Sequence, residues 1–447
     1  MSTPISPRAL ELLEDMRDNF EQGLVPLSVY NDPELSEVEL DRVFNRNWVF
    51  LAHESEIPEP GDYVLRTIGE DPWIVVRDES GTIRVLLDSC RHRGAQVCRA
   101  DKGNTSHFRC PYHGWTYKNS GDLAGVPHRV ESYRELDLKQ WGLVKAPHVD
   151  THRGLVFACL AADPPELSEY LGGIAWYLDV HLALTEFEVL GDPHRWVVGA
   201  NWKIGAENFA GDSYHTESVH RSVVEVSLFP SILLKHGVAA QGKRHISGLG
   251  GHAANLNHDV GAPEEAQFWG YPSEVTEQFD AEGMDPAQYE LAKWSKLSTG
   301  TVFPNLSYLC SAFVDAPGRP PGTVLMLRQW QPRGPAAMEL WSWILVPKGA
   351  SDEYKDRVAR VATASFSPSG NFEEDDTAIW STIARTAGSR YARSENLKLN
   401  YQMGMPGMAE IERDENWRGP GVALMSDLED GGQRTVQRRW IEEMLRP

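Results

Sequence analysis

The sequence predicts an α+β protein in which a compact β domain lies between a helical and a mixed segment. Residues 1–45 have the apolar periodicity of helices, whereas residues 46–165 alternate short β-rich runs with turn residues. Residues 166–447 combine long β segments with amphipathic helices, which favours an antiparallel sheet covered by helices. A chain of 447 residues can form two or three hydrophobic cores, so we predict three segments with these boundaries.

The composition argues against several classes of protein. Hydrophobic residues make up 41% and charged residues 24% of the chain, which is typical of a globular protein. The net charge of −21 would repel both nucleic-acid backbones and anionic membrane surfaces. No apolar run approaches the ~20 residues of a membrane helix, and the acidic N-terminus does not resemble a signal peptide. We therefore expect a cytoplasmic protein that binds neither nucleic acid nor membrane.

The N-terminal segment is predicted to form two helices. Four apolar residues recur at i, i+4, i+7 and i+11 and would form one stripe: Ala9, Leu13, Met16 and Phe20. The second helix should begin after Asp32, because aspartate caps helix N-termini and Pro33 suits the first turn.

The β domain is predicted from runs of β-branched and aromatic residues. We expect strands at 62–68, 73–77 and 82–87, and the polar sequence at 78–81 favours a hairpin between the last two. A further strand at 154–160 would close the domain.

The larger domain is predicted to contain a helix over 201–220, where strand alternation is absent. Long β segments at 324–331 and 338–346 flank a turn rich in proline and glycine, which favours a hairpin. Ser351 precedes two acidic residues and predicts the start of another helix. A final amphipathic helix is expected over 436–445.

Two Cys-His pairs lie in loops of the β domain. Cys90 and His92 form the first pair, and after 17 intervening residues Cys110 and His113 form the second. Two thiolates and two imidazoles can hold a zinc ion or a two-iron cluster. Because each loop supplies one residue of each type, the pattern favours a [2Fe–2S] cluster with two Cys on one iron and two His on the other, the Rieske arrangement.

A second His pair lies in the larger domain, at His215 and His220. Residues at i and i+5 of a regular α-helix point about 140° apart, so one metal could bind both only if the helix were bulged or broken between them. Taken alone, the pair favours one buried structural His and one surface His over a metal site.

Three stretches of the chain together resemble the large subunit of Rieske-type aromatic-ring-hydroxylating oxygenases, and the resemblance covers nearly the whole chain. The stretches are Cys90-Arg-His92-Arg-Gly94 with Cys110-Pro-Tyr-His113-Gly114-Trp115, then Glu207-Asn208-Phe209 followed by Asp212, His215 and His220, and finally Gly370-Asn-Phe372-Glu373-Glu374-Asp375-Asp376. The resemblance implies one [2Fe–2S] Rieske cluster and one mononuclear Fe(II) per chain. It assigns the cluster to Cys90, His92, Cys110 and His113, and the Fe(II) to His215, His220 and Asp376.

The two adjacent aspartates in the last stretch need to be told apart. By position in the motif, Asp376 corresponds to the iron ligand, whereas Asp375 is interpreted as part of an acidic helix start. Two His and one carboxylate leave open positions on Fe(II) for O₂ and substrate.

Asp212 is predicted to connect the two metal centres. In the family, the matching aspartate joins a Rieske His of one subunit to an iron-binding His of its neighbour. The resemblance therefore implies a bond between His113 and Asp212 across a subunit contact, which would hold both imidazoles in place.

The resemblance also implies residues that line a substrate cavity. They are Asn208, Phe209, Leu309, Ala312, Phe366 and Phe372, with Val224 and Ile232 as weaker candidates; each could instead be ordinary core. A mostly apolar and aromatic set suits a flat hydrocarbon. Because the set contains no Lys or Arg, it argues against an aromatic carboxylate as substrate; a basic residue from a loop that the sequence does not place would reverse this.

The implied fold is an all-β Rieske domain inserted into a catalytic domain with a helix-grip antiparallel sheet, against which residues 1–45 pack. The implied activity is cis-dihydroxylation of a hydrophobic, bicyclic or polycyclic arene with O₂. Its electrons would come from NAD(P)H through a reductase, a ferredoxin or both. Three large subunits would assemble with three small β subunits.

Other functions share some of these motifs. A Rieske monooxygenase or demethylase has every metal motif, and so does a dioxygenase of an aromatic carboxylate such as phthalate or salicylate. A non-catalytic electron carrier would need only the cluster. Iron content separates the carrier, with about two Fe per chain, from an oxygenase, with about three.

Overall fold

The computed structural model describes residues 4–228, 242–409, 411–426 and 428–446. The chain divides into two compact units, one formed by Met1–Val43 with Ser168–Pro447 and the other by Phe44–Leu167. The predicted boundaries after residues 45 and 165 lie close to these divisions. Within the described residues, we find no helix that combines the length and the apolar character needed to cross a membrane.

The N-terminal helices form where the sequence predicts them. The helix Pro7–Phe20 buries the predicted stripe of Ala9, Leu13, Met16 and Phe20. The helix Pro33–Glu39 begins after Asp32, whose carboxylate accepts the first two free backbone N–H groups of the helix. A short strand, β1 (Leu24–Pro26), lies between the two helices.

The unit Phe44–Leu167 is built from three small antiparallel sheets, with strand orders β5-β4-β3-β6, β7-β8-β9 and β10-β11-β2. Its strands are β2 (Val49–His53), β3 (Asp62–Ile68), β4 (Asp71–Arg77), β5 (Ile83–Leu87), β6 (Lys102–Asn104), β7 (His107–Arg109), β8 (Thr116–Lys118), β9 (Leu123–Gly125), β10 (His148–His152) and β11 (Leu155–Cys159). The predicted strands at 62–68, 73–77, 82–87 and 154–160 are confirmed as β3, β4, β5 and β11. A short helix, Arg129–Tyr133, interrupts the strands.

The larger unit is organised around a nine-stranded antiparallel sheet. Its order is β12-β19-β18-β17-β16-β15-β14-β21, and β13 also pairs with β19. The strands are β12 (Phe187–Val189), β13 (His194–Val198), β14 (Lys243–Leu249), β15 (His252–His258), β16 (Ser295–Val302), β17 (Leu306–Phe313), β18 (Gly322–Pro332), β19 (Met338–Pro347) and β21 (Val422–Leu424), while β20 (Lys398–Asn400) pairs with β1. The predicted hairpin is confirmed as β18 and β19.

Helices surround this sheet. They are Leu167–Leu171, Gly173–Leu182, Trp202–Phe209, Thr216–Val219, Arg221–Glu225, Ser273–Thr276, Pro286–Trp294, Asp352–Phe366, Asn371–Ala387, Arg390–Ser394 and Gly431–Leu445. Ser351 caps the helix Asp352–Phe366 through its hydroxyl, as predicted. The helix Trp202–Phe209 packs between the central strands β16, β17 and β18 and the C-terminal helix Gly431–Leu445.

Candidate metal centres and substrate cavity

The two Cys-His loops of the β unit adopt the same local turn. Cys90 follows β5 and Cys110 follows β7, and in each loop a glycine four residues later donates its N–H to the cysteine carbonyl, at 2.8 and 3.0 Å. Gly94 and Gly114 have φ of 74° and 73°, a left-handed conformation that favours glycine. In both loops the chain therefore reverses direction after the cysteine, and the Cys and His side chains of each loop lie on the same side of the turn.

The four side chains converge with a geometry that fits a Rieske cluster. The Nδ1 atoms of His92 and His113 lie 3.1 Å apart, and their rings are inclined by 75°. Two nitrogens on one tetrahedral metal are expected to be about 3.3 Å apart, given metal–nitrogen bonds of about 2.0–2.1 Å. Both cysteines are buried, whereas both imidazoles are partly exposed. The donor set thus has a buried thiol side and an accessible His side.

Burial controls the chemistry of the cysteines. It raises the pKa of the Cys90 thiol, and the Tyr117 hydroxyl, 3.2 Å from the sulfur, and the backbone N–H of His92 offset this only in part. A thiolate at this position therefore depends on the positive charge of bound metal.

The second metal centre lies just after a break in the predicted helix over 201–220. The helix Trp202–Phe209 ends at Ala210, and a separate short helix, Thr216–Val219, follows. Gly211 has a φ of 135°, and a Cβ atom there would lie 2.7 Å from the His245 ring, so a side chain would clash. The prediction of one helix is therefore corrected to two, because the chain turns at this glycine.

His215 and His220 stand at the two ends of the short helix Thr216–Val219, beyond this turn, and their imidazoles come together with one carboxylate. His215 Nε2 lies 3.2 Å from His220 Nε2, and Asp376 Oδ1 lies 3.6 and 3.3 Å from these two nitrogens. Ligands about 2.0–2.2 Å from one metal have separations in this range. Within the described residues, these three form the one group of at least three His, Cys, Asp or Glu side chains placed to hold a single ion. The donor set of two His and one carboxylate fits Fe(II) with open positions.

A second carboxylate lies behind each imidazole. Asp375 Oδ2 is 3.4 Å from His220 Nδ1, and Asp212 Oδ2 is 3.5 Å from His215 Nδ1, near the limit of a hydrogen bond. Such contacts leave the Nε2 atoms free for metal. The interpretation of Asp375 as part of a helix start is corrected, because the acidic residues in the first turn are Glu373 and Glu374.

The electrostatic field at this centre favours a cation. Burial lowers the pKa of His215, but the Asp212 and Asp376 carboxylates outweigh it and the net shift is upward. The same carboxylates would stabilise a bound metal ion.

A cavity of about 130 Å³ opens beside the three metal-binding side chains, which belong to its lining. Five of the six predicted cavity residues line it: Asn208, Phe209, Leu309, Phe366 and Phe372. Phe372 contacts the His220 ring at a centroid distance of 5.0 Å and stacks on Phe366 at 5.3 Å. The aromatic wall therefore begins directly at the metal centre.

The sixth predicted residue, Ala312, does not line this cavity. It packs on the opposite face of the sheet with Ala262, Ala266 and Trp294. Side chains of a strand alternate between faces, so Leu309 on β17 shares its face with Ser311 and Phe313 and not with Ala312. Applied to this strand, the alternation would have predicted from the sequence that Phe313, and not Ala312, lines the cavity. Of the weaker candidates, Val224 is not part of the lining, and Ile232 lies outside the described residues.

The cavity also contains basic residues that sequence reasoning missed. Lys243 and Lys296 both belong to its lining, together with the amides of Asn255 and Asn257. The cavity residues predicted from the sequence included no Lys or Arg, whereas the lining contains these two lysines. None of these residues lies in a recognisable sequence motif. They lie beside the cavity because β14, β15 and β16 pair with one another in the sheet.

A buried carboxyl group supports the helix that leads to the metal centre. Glu207 accepts hydrogen bonds from the Tyr30 and Tyr401 hydroxyls at 2.8 and 2.9 Å. Burial raises the pKa of Glu207 to about 7, although these hydrogen bonds lower it in part. The motif residue Glu207 thus ties the helix Trp202–Phe209 to the N-terminal segment and to the chain after residue 400.

Comparison with known families matches both units. Residues 47–142 match the family described as the Rieske [2Fe-2S] domain, and residues 167–405 match the ring hydroxylating alpha subunit (catalytic domain).

Individual proteins resemble the chain over its whole length. The N,N-dimethyl phenylurea N-demethylase subunit alpha of Sphingobium sp. (strain YBL2) is 40% identical, covering 97% of this chain and 94% of the relative. The chlorobenzene dioxygenase subunit alpha of Cupriavidus sp. (strain PS12) is 35% identical, covering 99% and 96%. A crystal structure of naphthalene 1,2-dioxygenase from Rhodococcus sp. bound to indole is 42% identical, covers 99% of both chains and has a TM-score of 0.92.

Proposed function

The chain belongs to the ring-hydroxylating oxygenase alpha-subunit family, and we propose on this basis that it is the terminal oxygenase of a multicomponent aromatic-ring dioxygenase. It would use O₂ and electrons from NAD(P)H to place two hydroxyl groups in cis on an aromatic ring. The observation that carries the proposal is the opening of an aromatic-walled cavity onto His215, His220 and Asp376.

The protein's part in this reaction is to position the ring and exclude water. Bound at the two sites, a Rieske cluster and a ferrous ion would supply electron storage and O₂ activation. Phe313, Phe366 and Phe372 contact one another with centroid distances of 4.9–5.3 Å. A planar substrate held against these rings would direct its edge towards the metal-binding side chains.

Electron delivery would use Asp212 of one protomer and His113 of the next. The Asp212 side chain is 35% exposed, so a carboxylate oxygen can accept an N–H from a neighbouring molecule while facing His215. Exposed tyrosines flank both residues: Tyr112 is 61% exposed beside His113, and Tyr214 is 62% exposed beside His215. Exposed aromatic side chains are enriched where proteins dock, which supports a contact between protomers at both metal centres.

The partners follow from this proposal. A ferredoxin, an NADH-dependent reductase or both would reduce the Rieske centre. Three alpha subunits would form a ring, so that each cluster serves the neighbouring iron, and three small beta subunits would complete the assembly.

N-demethylation is a second candidate function. It is supported by the 40% identity to the phenylurea N-demethylase subunit and by the polar groups in the cavity, which suit a urea better than a hydrocarbon. It would require insertion of one oxygen atom into a methyl C–H bond instead of two into a ring.

Single turnover with labelled dioxygen tests the proposal and separates these two functions. The reduced protein, loaded with both metals, is mixed with ¹⁸O₂ and either naphthalene or an N,N-dimethyl phenylurea, and the products are analysed by mass spectrometry. We expect a ring diol that contains two labelled atoms, formed at up to one equivalent per mononuclear iron.

Formaldehyde release without any ring diol would contradict ring dihydroxylation and support the demethylase. The His215→Ala variant is the matched control, since it keeps the cluster ligands and should form neither product.

A further inference from the structure

A buried ion pair lies behind the aromatic wall of the cavity. Arg328 on β18 is 1% exposed, and Glu373 on the helix Asn371–Ala387 is 3% exposed. Arg328 Nη2 donates a hydrogen bond to Glu373 Oε2 at 2.7 Å. Neither residue belongs to the cavity lining, so the pair is not a substrate-binding group.

Strand register places Arg328 on the face of the sheet that bears the cavity. Arg328 pairs with Ser307 of β17, and Leu309, two residues further along β17, lines the cavity. Directly opposed residues of an antiparallel pair share a face of the sheet, and so do residues two apart on one strand. The guanidinium group therefore projects from the same face as Leu309, although Arg328 itself lies outside the lining.

The guanidinium group holds Phe366, a residue of the cavity wall. Arg328 Nη2 donates to the Phe366 carbonyl at 3.2 Å, at the end of the helix Asp352–Phe366, where carbonyl groups lack partners within the helix. Its Cζ atom lies 5.9 Å from the centroid of the Phe366 ring and 5.2 Å from that of Trp196 on β13. These contacts restrict rotation of the Arg328 side chain and movement of the Phe366 backbone.

Glu373 connects the guanidinium group to the metal-binding carboxylate. It lies in the first turn of the helix Asn371–Ala387, directly after Phe372, and Asp376 follows it by three residues, so Glu373 and Asp376 are neighbours on the helix surface. The N-cap of this helix is Gly370, which has no side chain to cap the first turn. The ion pair with Arg328 therefore fixes the start of the helix against β18.

We propose that Arg328 is a positioning residue for ring oxygenation, because one guanidinium group sets the aromatic wall and the iron-binding carboxylate relative to each other. Through the Phe366 carbonyl it holds one side of the wall, and through Glu373 it holds the helix that carries Phe372 and Asp376. The inference rests on the proposed function and adds to it a residue that is part of neither the cavity lining nor the metal-binding group.

Charge and position predict opposite effects on iron binding when Arg328 is replaced by methionine. Removal of a positive charge from behind the cavity wall would by itself favour a bound cation. Removal of the contact that holds the helix of Asp376 should instead weaken Fe(II) binding by about tenfold, the lower end of the effects expected for residues that orient metal ligands.

Fe(II) affinity and product ratio are the two measurements. Protein that keeps its Rieske cluster but lacks the mononuclear iron is titrated with Fe(II) against a competing chelator, and the visible absorbance of the cluster verifies the other unit. Biphenyl is then the substrate, because its ring edges are not equivalent and the ratio of 2,3-diol to 3,4-diol reports how the ring is placed. We expect Arg328→Met to change this ratio by about fivefold, since a misplacement of about 1 Å can change a rate by up to about 100-fold.

A double variant separates positioning from the loss of a buried charge. Arg328→Met combined with Glu373→Leu removes both charges, leaves the net charge unchanged and replaces the pair with apolar side chains, which is often tolerated in a protein interior. We expect this variant to fold and still to show weaker Fe(II) binding and an altered product ratio. It also carries the test if Arg328→Met, which leaves Glu373 without its partner, does not fold.

Arg333→Met is the matched control. It removes an exposed arginine that pairs with Glu339 just after the end of β18, and exposed ion pairs contribute little. Its Fe(II) affinity and product ratio should equal those of the wild type.

A wild-type value of either measurement in the double variant would overturn the inference, because the pair would then only compensate a buried charge. Tighter Fe(II) binding in Arg328→Met would overturn it as well. Failure of the wild type to form a diol from any arene, with Fe(II) binding weakened in the variants as expected, would instead contradict the proposed function and leave the positioning of Asp376 in place.

Discussion

Replacing Asp376 with alanine is expected to lower the iron content from about three to about two Fe per chain and to abolish oxygenation. Among the residues that the structure describes, Asp376 supplies the one carboxylate oxygen that lies within 3.6 Å of both His215 Nε2 and His220 Nε2. Two imidazoles alone would hold Fe(II) poorly, because its three-ligand sites depend on the charge of the carboxylate. Iron analysis, together with the visible spectrum of the Rieske cluster, measures both centres in the same sample.

Asp375→Ala is the matched control, since it removes the same group one position earlier on the same helix. Asp375 faces His220 Nδ1 and not the metal-binding Nε2 atoms, so this variant should keep most of the third iron. Loss of an orienting carboxylate weakens a metal site by about 10–100-fold, so a moderate drop in affinity is expected. If Asp375→Ala lost the iron and Asp376→Ala kept it, the ligand assignment would be reversed.

Asp212→Ala should have the second large effect, a fall in turnover of about 100-fold with both metal centres still bound. Asp212 is not part of the three-residue metal group, and its carboxylate faces the opposite nitrogen of His215. Removing it takes away the proposed link to His113 of the neighbouring protomer. Stopped-flow absorbance should show slow reoxidation of the reduced cluster after mixing with substrate and O₂.

Asp212→Asn serves as the comparison, since it keeps the size of the side chain and one oxygen acceptor. It should retain more activity than the alanine variant. Rapid cluster reoxidation and full turnover in Asp212→Ala would remove Asp212 from the electron path, whereas loss of iron would show that it acts by holding His215.

The sequence predicts best those structural features that depend on residues close together in the chain. The apolar stripe from Ala9 to Phe20 and the capping residues Asp32 and Ser351 depend only on neighbours in the chain, and the structure confirms them. The candidate metal ligands also stand in short motifs, and the structure brings His215, His220 and Asp376 together.

The features that sequence reasoning missed depend on long-range pairing or on a single backbone angle. Ala312 was placed in the cavity although strand alternation puts it on the face opposite to Leu309. Lys296 reaches the cavity only because a bulge against β15 adds one residue to β16. The turn at Gly211 was not anticipated, since glycine within a helical pattern does not by itself indicate a positive φ.

The most direct test of electron transfer between protomers is a mixed oligomer. Two inactive variants are co-expressed: His113→Ala, which lacks a cluster ligand, and His215→Ala, which lacks an iron ligand. If each cluster serves the iron of its neighbour, randomly mixed rings should recover about a quarter of the wild-type turnover, because one in four donor–acceptor junctions is then intact. Mixed oligomers that assemble, contain both variants and remain inactive would contradict transfer between protomers.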